Sequence, residues 1–315
     1  MYPVPKVHVP EKTDNYYIVE KFCNARFWEE AYRELFDPNI TVDFPHAPPG
    51  MLQHLSSFEF LDAFRWWLRN TVRSMEPIGA PTVIPTTDPN LFWAIRFCKG
   101  TVYWAKKECQ YQNEHAIRIT LRNGKITGLK DYFNPIEFYN ALDIVLPGYD
   151  FDPIDDYPSV RMPEGQVSRL SPEQNRRRAI DNFVNPIEFD PSLESIYAAD
   201  MTMVCPFVPF HMPEVFQGKA FDVQTEWMLR ACPEWNTPEE SVGFYQSTDP
   251  NVIIVESEGY GRTTWSHKDG HYHQRELQIV FLEHDKVKHF RVYFNPMNKF
   301  ASMNQMIPAF PYMNF

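Results

Sequence analysis

Apolar residues recur at helical spacing through Tyr17, Val19, Phe22, Phe27, Trp28, Ala31 and Leu35, and the pattern stops at Asp37-Pro38-Asn39. This predicts two short helices or one bent helix. A proline-rich loop, Pro45-His46-Ala47-Pro48-Pro49-Gly50, separates it from a second helical stretch from Phe58 to about Met75, with Phe60, Leu61, Phe64, Trp67, Leu68 and Val72 on one side. From Thr82 onward the pattern becomes that of strands: Val83-Ile84, Leu91–Phe97, Thr101–Trp104, Ala116–Leu121 and Ile126–Phe133 are short β-rich runs bounded by turn signals. Asn123-Gly124 is a tight-hairpin signal, because both residues tolerate positive φ. Helices followed by consecutive antiparallel strands predict an α+β unit whose curved sheet wraps against the helices.

The pattern then repeats at a constant offset of 161 positions. Trp66-Trp67-Leu68-Arg69 matches Trp227-Met228-Leu229-Arg230, Thr87-Asp88-Pro89-Asn90 matches Thr248-Asp249-Pro250-Asn251, and Tyr132-Phe133-Asn134-Pro135 matches Tyr293-Phe294-Asn295-Pro296. A fixed offset means one fold used twice without insertions. The expected division is a first domain over 1–145, a Pro- and Asp-rich linker over 146–174 and a second domain over 175–315. The second domain should have helices near 175–200 and 217–231, strands near 240–295, and a Pro- and Met-rich tail. Because the copies share a fold, the positions where they differ are the best guide to chemistry.

Composition narrows the function classes. The 315 residues carry a net charge of −11 and no Lys/Arg-rich run, which argues against nucleic acid as a partner. No stretch approaches the roughly 18 apolar residues of a membrane span. The start, Met1-Tyr2-Pro3-Val4-Pro5, lacks the basic and apolar regions of a signal peptide, so a soluble cytoplasmic protein is expected. Five scattered cysteines without a CxxC spacing read as reduced, mostly buried thiols. There is no Gly-rich phosphate loop, GxSxG elbow or Walker sequence, so no cofactor is expected.

Several short motifs in a shared order carry a resemblance. They are Asn15–Phe22, Arg33-Glu34-Leu35-Phe36, Trp227–Trp235, the two Thr-Asp-Pro-Asn turns, Tyr111 or Tyr272 opening a strand, and Lys288, Arg291, Tyr293 and Asn295 near the end of the last strand. Together they resemble the phenazine biosynthesis A/B proteins of the SnoaL-like, nuclear transport factor 2-like (NTF2-like) superfamily, which also holds ketosteroid isomerases. The resemblance implies two tandem NTF2-like, cone-shaped α+β barrels forming an intrachain pseudo-dimer, each with a bent sheet and helices around a pocket. The family's acid/base glutamate falls on Asp131 in the first copy and Val292 in the second. Its helix histidine falls on Ala63 and Gln224, and its serine on Trp67 and Met228.

Asp131 also stands out by pattern alone. Leu129, Asp131 and Phe133 share one strand face, whereas the equivalent Phe290, Val292 and Phe294 are all apolar. A carboxylate in such a row needs a partner or a raised pKa, unless the face opens to solvent or Lys130 or Arg118 neutralises it. Tyr111 and Tyr272 align with a pocket tyrosine of the family, and His115, on the face of Tyr111, is a candidate hydrogen-bond partner of Asp131. Asp131, Tyr111 and His115 form the expected catalytic set. Trp66, Trp67, Trp104, Phe133, Tyr272 and Gln224 form the expected substrate-binding set, with Trp93 a further ring that lines a pocket or fills a core. His267, His271 and His273 lack carboxylate or cysteine ligands at metal-site spacing.

The expected function is cofactor-free acid/base catalysis (condensation, cyclisation, dehydration or isomerisation) on a small aromatic or conjugated intermediate of bacterial secondary metabolism. The alternatives are a non-catalytic small-molecule carrier and a purely structural pseudo-dimer. The expected partner is a small molecule, with the chain a monomeric pseudo-dimer or a homodimer.

Overall fold

The computed structural model describes residues 2–25, 31–147, 196–208, 213–218, 228, 231–264 and 270–310, without the side chains of Ala31, Tyr32 and Trp67. Nearly all of the expected linker, the expected helix up to residue 195, and most of 217–231 lie outside the described residues. The first unit begins with α1 (Asp14–Asn24), whose N-cap Thr13 accepts a hydrogen bond from the Tyr16 amide. α2 (Ala31–Leu35), β1 (Phe36–Asp43), β2 (His54–Ser56), α3 (Phe58–Thr71) and β3 (Val72–Pro77) follow. Then come β4 (Thr82–Pro85), β5 (Leu91–Trp104), β6 (Lys107–Arg122), β7 (Lys125–Phe133) and α4 (Ile136–Ala141). The sheet order is β2-β1-β7-β6-β5-β3, with β4 also paired to β5.

The second unit repeats this plan with β8 (Tyr197–Val204), β9 (Val215–Gln217), β10 (Gly243–Gln246), β11 (Val252–Thr263), β12 (Gly270–Glu283), β13 (Lys286–Phe294) and α5 (Pro296–Ser302), in sheet order β10-β11-β12-β13-β8-β9. The offset survives in the register: Ile117 pairs with Asp131 on β6 and β7, and Gln278 with Val292 on β12 and β13. The repeated motifs have local structural causes. In each Asp-Pro-Asn turn the Asp carboxylate accepts the amide two residues on, Asn90 and Asn251, both at 2.9 Å. In each Asn-Pro motif the Asn carboxamide caps the next helix, through the amides of Ile136 and Met297.

The strands and hairpin follow the sequence expectation; Asn123 and Gly124 have φ of 54° and 71°. Other boundaries differ for tertiary reasons. The second helix ends at Thr71, not Met75, because Val72–Pro77 pairs with β5. The Asp37-Pro38-Asn39 breaker lies within a strand, β1, which pairs in parallel with β7 across a register shift. Residues 197–200 are strand rather than helix, because β8 pairs with β13 in the same way. Both sheets are therefore mixed. Phe60, assigned to the apolar side of α3, is 54% exposed.

The two sheets meet along a pseudo-two-fold axis. Thr86 forms a bridge with its own equivalent, Ser247, flanked by hydrogen bonds from Thr87 to the Gln246 carbonyl (2.8 Å) and from Thr248 to the Pro85 carbonyl (3.0 Å). Self-pairing of equivalent residues is the mark of an isologous contact. Around it Trp93, Ile95, Tyr132, Ile254, Leu277 and Tyr293 form an apolar layer. Two ionic clusters are set into this junction. Arg291 forks onto Glu114 with two 2.7 Å hydrogen bonds, and the Tyr293 hydroxyl donates to the same carboxylate. Glu256 receives Arg118, Lys130 (3.0 Å) and the Tyr132 hydroxyl (2.5 Å).

The chain ends cross over. At the N-terminus, the His8 amide donates to Asp249 and the Tyr2 ring stacks on His289. The C-terminal residues expected as a tail instead join the first unit's core: Phe300 and Phe310 are buried in it, the Phe310 amide donates to Pro49, and the Tyr139 hydroxyl donates to Pro308.

Because Arg291 is fully buried, Arg291→Met leaves the Glu114 carboxylate without its cation and should cost about 3–5 kcal/mol in urea denaturation. The double change Arg291→Met with Glu114→Met should recover most of that loss; equal destabilisation of single and double variants would show that the pair's charge is not the cause.

Candidate active site

β6 lies between β5 and β7, so its alternate residues meet side chains from both neighbours. On the inner face, Tyr111, His115, Arg96 and Cys98 converge with Asp131 on a cavity of about 80 Å³. Its remaining wall is apolar, formed by Phe44, Met51, Phe64, Leu68, Trp104, Phe133 and Phe138 among others. A cavity of roughly 150 Å³ holds a benzene ring. In this conformation the site therefore takes a ligand smaller than benzene.

His115 Nδ1 lies 3.0 Å from each carboxylate oxygen of Asp131, and both side chains are nearly buried. Burial pulls the His115 pKa down, but the charges of Asp131 and Cys98 outweigh it and lift it to about 9. The ring is thus an imidazolium at neutral pH, ion-paired to Asp131. Lys130 and Arg118, considered as partners of Asp131, sit on the opposite face and serve Glu256. The Tyr111 hydroxyl accepts from Asn113 Nδ2 at 2.8 Å. Burial drives its pKa well above 10, so the phenol keeps a proton to donate.

The expected binding residues divide. Trp104 lines the cavity, stacked on Phe138 (5.3 Å, 5°), and Phe133 lines it beside Asp131. Trp66 is 60% exposed on α3, since one residue of helix turns it away from the buried side, and so does not line the cavity. Trp93 is buried in the junction between the sheets, because strand alternation sends it to the face opposite Arg96. The Trp67 side chain and Gln224 lie outside the described residues. Tyr272 is buried in a separate cluster of the second unit with Ala231, Cys232 and Met303, where Gln274 repeats the contact of Asn113.

The second unit cannot copy this site. Val292 packs in an apolar cluster, Glu276 stands at the position of His115, and Ser257 at that of Arg96. Gly259 replaces Cys98, and a Cβ there would lie 2.3 Å from the Trp235 ring. The ring therefore fills the space that a Cys98-like side chain would need. This interior is not wholly apolar, however: burial raises the Glu276 pKa and lowers that of Lys299. Arg96 and Cys98 were missed in the sequence because they sit in an apolar strand run; their replacement by Ser257 and Gly259 was the available signal. His271 and His273 gather no metal-binding group among the described residues, and His273 bonds Glu258. His267 lies outside them. No helix of the described residues is long and apolar enough to cross a membrane.

Residues 208–312 match the family model described as phenazine biosynthesis protein A/B. Phenazine biosynthesis protein PhzA2 of Pseudomonas aeruginosa is 28% identical over 98 residues, which is 30% of this chain and 59% of that protein. PhzB of Pseudomonas fluorescens is 29% identical over 98 residues, with the same shares. The chain thus spans 59% of the length of these curated relatives. Among solved structures, the phenazine biosynthesis-related protein phzb2 from Pseudomonas aeruginosa has a TM-score of 0.41 and 22% identity, covering 46% of this chain and 94% of that one. An NTF2-like protein from Burkholderia xenovorans has a TM-score of 0.35 and 16% identity, covering 42% and 97%. The resemblance to phenazine biosynthesis A/B proteins read from the motifs is matched, and the chain has the expected α+β architecture in two repeated units.

The ion pair sets a pH dependence. A histidine whose pKa rises on folding from 6.5 to about 9 contributes stability that is complete below pH 6.5 and lost as pH climbs through 9. His46 and His289, lowered by burial to about 3 and about 4, act on the acid side instead, losing their contribution as pH falls below 6.5. Cys98, whose pKa is lowered by His115 and Arg96, releases a proton on folding over the same window and offsets this fall, so the His115 contribution should show as a decline of stability from about pH 6.5 to 9 once the thiol is removed in Cys98→Ala. Urea midpoints of Cys98→Ala should fall across this window and flatten when His115→Gln is added; an unchanged slope would remove the ion pair as its source.

Proposed function

We propose that the first unit is a cofactor-free acid/base enzyme of secondary metabolism, acting on a small conjugated molecule held in the cavity between α3 and the sheet. The observation that carries this reading is the Asp131–His115 pair at 3.0 Å in the wall of an otherwise largely apolar cavity. Low surrounding polarity strengthens the effect of each charge on a bound reactant. The Asp131 carboxylate accepts the proton next to the carbonyl, the His115 imidazolium returns a proton to the resulting enolate, and the Tyr111 hydroxyl donates to the oxygen on which negative charge develops. In this reading residues 1–145 form the catalytic unit and residues 175–315 its structural partner, with Val292 and Glu276 at the equivalent positions. The similarity to phenazine biosynthesis A/B proteins supports a place in secondary metabolism. The reaction class follows from the pair of groups: proton transfer next to a carbonyl, as in isomerisation, dehydration or cyclisation.

The test is exchange of carbon-bound protons. Small conjugated ketones and acids incubated with the protein in deuterium oxide should gain deuterium next to the carbonyl. Asp131→Asn should slow this by at least about a hundredfold, while binding, read from Trp104 fluorescence, changes only a few-fold. Binding without exchange in the unaltered protein would favour the carrier reading instead.

A further inference from the structure

One group in this cavity has no part in that mechanism. Cys98 lines it, is 3% exposed, and pairs across β5–β6 with Asn113, which places it diagonally beside His115. The charge of the His115 ring, whose Nδ1 is committed to Asp131, acts on the thiol across this diagonal. A sulfur, an imidazole and a carboxylate thus stand in line across three neighbouring strands, β5, β6 and β7. This is the order of a nucleophile, its base and the group that orients the base.

The other thiols show how unusual the setting is. Burial pushes Cys23, Cys205 and Cys232 up to about 12. Cys98 is as deeply buried, yet its pKa is lowered: burial works against the thiolate, but the charges of His115 and the Arg96 guanidinium outweigh it. Asp131 opposes the thiolate from β7. Tyr111 on β6, Cys23 on α1 and Glu137 on α4 are all shifted upward by burial, towards their neutral forms.

We propose that Cys98, His115 and Asp131 form a nucleophilic triad in which the Cys98 thiolate adds reversibly to the β-carbon of a small α,β-unsaturated carbonyl compound. The inference rests on reading the cavity as a small-molecule site. Addition suits a space of about 80 Å³, because it needs neither a leaving group nor a second reactant. The Sγ–carbon bond forms as the π electrons of the carbon–carbon double bond move to the carbonyl oxygen, giving an enolate that Tyr111 and Arg96 stabilise. His115 then delivers its ring proton to the α-carbon. In reverse, His115 removes the α-proton and the carbon–sulfur bond breaks, restoring thiolate and imidazolium. Rotation about the temporary single bond between these steps converts one geometric isomer into the other, with no oxidant or reductant.

Site-resolved alkylation of the intact protein with acrylamide, read by peptide mass spectrometry from about pH 5 to 9, tests this. Cys98 should react at least about tenfold faster than Cys23, Cys109, Cys205 and Cys232, with a rate nearly flat through neutral pH. In His115→Gln the advantage should vanish and the rate should rise with pH as for an ordinary thiol. The difference in ultraviolet thiolate absorbance between the protein and Cys98→Ser at neutral pH reports the charge even where access is slow. No such absorbance, or an advantage unchanged in His115→Gln, would overturn the triad. Deuterium exchange that survives Cys98→Ala but not Asp131→Asn would overturn the nucleophilic role and leave the acid/base reading standing. Selective Cys98 alkylation without exchange would do the reverse.

Discussion

The pleat of β6 and β7 is the constraint on which the rest depends. Successive side chains on a strand must point to opposite faces, so Tyr111, Asn113 and His115 turn inward while Glu114, Ala116 and Arg118 turn towards the other unit. On β7, Asp131 and Phe133 face the cavity and Lys130 and Tyr132 face the junction. One alternation sorts two kinds of chemistry. The inner row holds the paired acid and base, and the outer row holds the ions that lock the sheets together. A register slip of one residue would exchange them and bury Lys130 in the cavity.

The outer row explains why Asp131 keeps its histidine. Lys130 and Arg118 are adjacent to it in sequence or across the ladder, but Glu256 of the second unit takes both. Arg291 in turn holds Glu114 of the first. Each unit lends the other a carboxylate, and the crossed chain ends extend the exchange, with Phe300 and Phe310 buried in the first unit's core. The second unit thus contributes to the first unit's integrity without carrying the same set of cavity residues. Its own interior has been refilled, with Trp235 packed against Gly259 where the first unit has Cys98.

The two copies agree where the backbone needs particular residues and differ where chemistry is placed. The shared Asp-Pro-Asn and Asn-Pro motifs are turns and helix caps. The divergent pairs Asp131/Val292, His115/Glu276, Arg96/Ser257 and Cys98/Gly259 are those of the cavity wall. Structural motifs repeat because both units solve the same folding problem, whereas the cavity-wall positions make none of those turns and caps and so can diverge.

The sequence by itself determined the repeat, the α+β plan, the strands from Thr82 to Phe133 and the unusual carboxylate at Asp131, because these rest on local periodicity and on comparison of one copy with the other. Only the tertiary structure decided what faces what. Trp66 and Trp104 look equally fit to line a pocket as isolated rings, but one lies on the outside of a helix and the other under Phe138. Strands β1, β3 and β8 were hidden because their conformation comes from pairing with distant residues, which overrides the local signals at Pro38 and Val72. The meeting of Cys98, His115 and Asp131 was hidden for the same reason: residues far apart in the chain become neighbours only through the ladder that joins β5, β6 and β7.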